Sequence, residues 1–131
     1  MMRRVLLWCA VAALPFASGC KDSVIEPADI VFPASGVSFA RHVQPLFNEA
    51  CAFSGCHGGG AGQQSSLLLT SYDNLMFTTL KVVERGLPDQ SVLVQRIEGK
   101  IGQRMPLYRP ALETNQINGI RTWITEGALN N

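Results

Sequence analysis

The sequence predicts an all-α domain of roughly three to four short helices joined by long Gly- and Pro-rich loops. Apolar residues recur at spacings near three and four in several short windows, and glycines and prolines punctuate the chain between them. The windows are short for a chain of 131 residues, so the core they can build is thin. A domain of that kind usually needs a staple, metal or cofactor to offset its conformational entropy.

Residues 1–19 are expected to be an export signal rather than part of that domain. Arg3 and Arg4 make a positive start, Val5 to Leu14 form an apolar run too short to span a bilayer, and Ala17-Ser18-Gly19-Cys20 follows. Small residues just before a cysteine resemble a lipoprotein signal, which makes Cys20 the expected lipidation site; an ordinary signal cut nearby is the alternative. A chain beginning at Cys20 keeps nine Lys and Arg against ten Asp and Glu, net −1. No basic run tracks phosphates, so nucleic acid is not an expected partner.

Residues 20–37 read as a tether, extended or disordered, because Pro27 and Pro33 interrupt any helical period. An ordered arm packed on the domain is the alternative that Val31-Phe32 supports. The domain proper is expected over 38–131. Its first helix should begin near Arg41 to Val43 and end at Ala50, with Phe39, Val43, Leu46, Phe47 and Ala50 on one face and Pro45 in the first turn. Ser71 or Thr70 is placed to cap a second helix reaching about Thr79, with Tyr72, Leu75, Met76 and Thr79 inward. Lys81–Glu84 is β-prone and Gly86–Asp89 reads as a turn. Ser91 or Asp89 could cap a third helix over Val92 to Glu98, closed by Gly99. Thr114 is the expected N-cap of a last helix to about Glu126, striped by Ile117, Ile120, Trp123 and Ile124, with Gly127 as its C-cap.

Between the first two helices lies Cys51-Ala-Phe-Ser-Gly-Cys56-His57. Two cysteines followed at once by a histidine can hold haem: each thiol can add to a vinyl group, and the imidazole can ligate iron. Zinc and a plain Cys51–Cys56 disulfide are the alternatives. Zinc needs a fourth ligand from distant His42 or a carboxylate, and adjacent Cys56 and His57 point poorly at one small ion. Gly58-Gly59-Gly60 lets backbone pass close to a flat ligand, but lacks the lysine and the setting of a phosphate loop. Met105 sits in an irregular segment, and Pro106 pushes it into an extended conformation. Met76 is more simply core filler.

From Ser38 to Gly127 the chain resembles a mono-haem c-type cytochrome domain, closest to the planctomycete-type cytochromes. The matching pieces are Val43-Gln44-Pro45-Leu46-Phe47, Cys56-His57-Gly58, Pro88-Asp89-Gln90-Ser91, Arg104-Met105-Pro106 and Trp123-Ile124 before Glu126-Gly127. The resemblance implies a cytochrome c-like fold around one covalently attached haem c. It also implies thioether bonds at Cys51 and Cys56, a proximal iron ligand at His57 and a distal one at Met105. The chain departs from the family in spacing, Cys-x4-Cys-His for Cys-x2-Cys-His, and Ser54-Gly55 suit the bulge this requires.

The expected function is one-electron transfer to redox protein partners by a lipid-anchored protein on the periplasmic side of a membrane. Arg104 or Arg109 is a candidate partner for a haem propionate. No general acid–base pair or nucleophile elbow points to an enzyme. The alternatives are a haem enzyme or gas sensor with an open distal site, and a non-haem lipoprotein stapled by zinc or a disulfide.

Overall fold

In the computed structural model, residues 26–63 and 65–131 are described. The export signal, Cys20 and the first part of the tether lie outside them. The described residues are helical and contain no strand. A π-helical turn, Phe39–Val43, runs directly into helix α1, Gln44–Ala50. Helix α2 is Tyr72–Met76, α3 is Val92–Ile97 and α4 is Thr114–Thr125.

The chain entry to α1 reflects its sequence. Ser38 accepts the Arg41 amide on its hydroxyl, and Pro45 stands in the first turn of α1, where the missing N–H costs nothing. Val43, Leu46, Phe47 and Ala50 are buried on one side. They meet Trp123, Ile120 and Ile124 from α4, Leu75 from α2 and Val94 from α3 in one core. The Phe39 ring packs edge-on against Tyr72 (centroids 5.1 Å apart) and tilted against Trp123 (5.5 Å). Trp123 is therefore deep in the core, its Nε1 donating to the Leu129 carbonyl at 2.9 Å.

Helix α2 ends earlier than its periodicity suggests. Ser71 caps it by accepting the Asn74 amide at 3.2 Å, but Thr79 is exposed and only Tyr72 and Leu75 are fully inward. Lys81–Glu84 forms no strand, and Lys81 takes a positive φ of +45°; Leu93 donates to the Val82 carbonyl at 3.0 Å. Ser91 precedes α3, but its hydroxyl turns backward to the carbonyls of Glu84 (3.3 Å) and Leu87 (3.1 Å). Glu113, not Thr114, is the N-cap of α4, and its N–H donates to Gln116 Oε1 at 3.0 Å in a capping box. At the other end Gly127 (φ +101°) allows its own N–H to reach Ile124 O and that of Ala128 to reach Trp123 O.

From Glu26 on, the segment expected as tether is an ordered arm. Phe32 is 4% exposed, whereas neighbouring Val31 is 68% exposed. Asn115 grips the Phe32 backbone reciprocally, accepting its N–H at 2.8 Å and donating to its carbonyl at 3.0 Å. The Phe32 ring lies where a side chain on Gly119 would otherwise be. The Glu126 carboxylate accepts the amides of Gly36 (2.7 Å) and Val37 (2.9 Å). Among the described residues no helix is long and apolar enough to cross a membrane.

Candidate functional site

Helix α1 ends one residue before Cys51, whose amide still donates to Phe47 O at 2.8 Å. The sulfur is thus delivered from the C-terminal end of a buried helix. The chain then tightens around the Phe53 carbonyl, which accepts the amides of both Cys56 and Gly58 at 3.0 Å. His57 N–H closes back onto Cys51 O at 3.3 Å. Gly55 takes a positive φ of +80° in this turn, so the bulge falls at Ser54-Gly55. Gly58 is needed for a different reason: a Cβ there would collide with the Ala52 carbonyl.

His57 is half-buried and held from two sides. Its carbonyl accepts the Leu69 amide at 2.9 Å, and its ring Nδ1 lies 2.9 Å from the Leu67 carbonyl oxygen. A carbonyl only accepts, so Nδ1 donates to it, and in the neutral ring Nε2 is the nitrogen that carries the lone pair. A backbone carbonyl fixing the tautomer in this way is the usual support of an imidazole metal ligand. A groove of about 450 Å³, lined by Gln63, Ser65, Ser66 and Leu68, runs beside the same segment.

The two thiols are free, Cys51 half-buried and Cys56 exposed. Cys56 is exposed, while burial pushes the Cys51 thiol up to about 12; the Arg109 charge lowers it and Cys56 raises it. Cys51 is therefore a neutral thiol at ordinary pH. Among the described residues no three His, Cys, Asp or Glu side chains converge as a metal-binding group.

The chain matches no protein-family model, no curated protein and no solved structure. The site therefore rests on its own chemistry. A covalent haem needs reduced thiols, an imidazole with one nitrogen free, and backbone that can approach a flat ring. Cys51 and Cys56 are free thiols and His57 is held at Nδ1, so these three are the residues that could hold such a group.

Met105 is half-buried against the core, with its N–H on Arg96 O at 2.9 Å, so the end of α3 anchors its loop. Pro106 is buried. The far end of that loop reaches the cysteine loop, with the Arg109 guanidinium 4.2 Å from the Phe53 ring centroid. Arg104 donates to the carbonyls of Met105 (3.4 Å) and Arg109 (3.1 Å). His42 accepts the Ser38 amide on Nδ1 at 3.0 Å and leans on Phe32, at the opposite end of the helical segment from Cys51. Met76 is half-buried against the core.

Sequence reasoning missed two contributors. The Leu67 carbonyl has no side-chain signature, and its role depends only on where the backbone passes. Phe53 did leave a signal, an aromatic residue inside an unusually long inter-cysteine spacing, but its partner lies 56 residues away.

Proposed function

We propose that this chain is a c-type cytochrome, a one-electron carrier in the manner of the planctomycete-type cytochromes that its sequence resembles. The observation that carries the reading is the His57 ring, held at Nδ1 by Leu67 O, in a segment that also carries two cysteines free of any disulfide. In this reading Cys51 and Cys56 hold haem c by thioether bonds, His57 supplies the proximal nitrogen and Met105 the distal sulfur. Haem supplies the one-electron iron couple, and an imidazole–thioether ligand pair favours its reduced form over a bis-imidazole pair. Met105 is half-buried against the core, and its thioether would be the second iron ligand. Lipidation at Cys20 would tether the carrier on the periplasmic side of a membrane, near its redox protein partners.

The test is expression of the full chain with a c-type maturation system, followed by a pyridine haemochrome spectrum after denaturation. The expected product is red, keeps its haem through denaturation and shows a far-red sulfur-to-iron band when oxidised. A folded, colourless product would overturn the reading, and bound zinc in it would favour a stapled binding protein. A haem-loaded product without the far-red band and with ready CO binding would instead indicate a sensor or enzyme with an open distal side.

A further inference from the structure

The long inter-cysteine spacing has a structural consequence at Phe53. Its carbonyl gathers the amides of Cys56 and Gly58, which fixes the backbone of the turn. Its half-buried ring then receives the Arg109 guanidinium at 4.2 Å. Arg109 belongs to the loop that carries Met105, so this stack bridges the two loops. The Met105 loop is pinned at its other end by the Met105 amide on Arg96 O (2.9 Å) and by Arg104 packing over Gly99. Between the two pins Tyr108 takes a positive φ of +58° and is 94% exposed. A left-handed turn at a bulky residue costs about 1–3 kcal/mol and persists only where its surroundings hold it. The Arg104–Arg109 hydrogen bond (3.1 Å) and the stack on Phe53 are the contacts that do so.

We infer that Phe53 and Arg109 form a latch that closes the Met105 loop over the Cys51–Cys56 loop, and that Phe53 is the positioning residue the extra spacing provides. The inference deepens the cytochrome reading: there the latch decides how often the distal sulfur leaves its place. An exposed cation–π pair shifts such an equilibrium by roughly two- to fivefold. Apparent affinity for a competing ligand scales with the open fraction, so the latch sets it by the same factor.

Two measurements on the full chain test this, one of which needs no haem. In the haem-free protein, alkylation of Cys51 by iodoacetamide should be about two- to fivefold faster in Phe53→Leu than in wild type. Exposed Cys56 should react at an unchanged rate, and Phe53→Tyr, which keeps the ring face, should restore slow labelling of Cys51. In the haem-loaded protein, imidazole should bleach the far-red band with about two- to fivefold higher apparent affinity in Phe53→Leu and Arg109→Gln, but not in Phe53→Tyr. Unchanged Cys51 labelling in Phe53→Leu would overturn the latch, as would equal acceleration at both cysteines, which means general loosening. If Phe53→Leu does not fold, wild-type imidazole affinity in Arg109→Gln overturns it instead. Failure to load haem with the Cys51 effect intact removes the cytochrome reading and leaves the latch.

Discussion

Cys51 is half-buried and Cys56 exposed, and the difference is testable by pH. Burial lifts the Cys51 thiol from its ordinary 9.0 to about 12 in the folded chain. The folded state thus holds its proton more tightly than the unfolded state. A raised value stabilises fully below the unfolded pKa and is lost as pH climbs through the folded one. The protein should therefore lose stability between about pH 9 and pH 12, by at most about 4 kcal/mol. Urea denaturation across that range should show the loss in wild type and a flatter profile in Cys51→Ser; parallel profiles would assign it to other groups. Gly58 makes a second residue-scale case. A Cβ there meets the Ala52 carbonyl, so Gly58→Ala must push the cysteine loop apart. Overpacking of this kind costs about 1–3 kcal/mol, readable as a lowered melting temperature.

The elements are short and depend on their ends. Helix α3 has six residues and α2 five, too few to persist without tertiary packing. Helix α4, with twelve residues, is the longest of the described helices and carries the fullest set of caps. Gly127 at φ +101° permits the two closing hydrogen bonds from residues 127 and 128. Replacing it with Ala should cost about 1–2 kcal/mol, because a side chain opposes the left-handed backbone. Denaturant melts of Gly127→Ala check this, and an unchanged midpoint would mean that the cap relaxes freely. Helix starts were legible where a hydroxyl stood in the right place, as at Ser71. They were less so at Glu113 and Ser91. The first caps through a glutamate paired with Gln116, and the second spends its hydroxyl on a preceding loop. Local pattern cannot show which of several polar neighbours the tertiary fold will engage.

At the scale of the molecule, the arm before α1 belongs to the fold. Phe32 fills the space above Gly119, and Asn115 and Glu126 bind the arm backbone to α4. Phe32→Ala should remove about 3 kcal/mol and release residues 26–37. Limited proteolysis should then cut within the arm well before the helices; equal resistance in wild type and variant would deny the arm its role. The Arg85 guanidinium adds a further tie, donating to the carbonyls of Gly127 (2.6 Å) and Ala128 (2.7 Å) and to the Tyr72 hydroxyl (2.6 Å).

Features that depend on neighbours a few residues apart were legible in the chain alone. They include the helical class, the face of α1 that turns inward, the proline in its first turn and the glycine that closes α4. The chain alone also singled out Cys51, Cys56 and His57 as candidate site residues, since their residue types and adjacency are visible without a fold. Only the tertiary structure decided which carbonyl orients His57, whether the arm packs, and what the extra inter-cysteine residues touch. Leu67 O, the Phe32–Gly119 contact and the Phe53–Arg109 stack join positions that are remote in sequence or carry no side-chain mark. Periodicity reports the face of an element, whereas those contacts depend on where the chain returns.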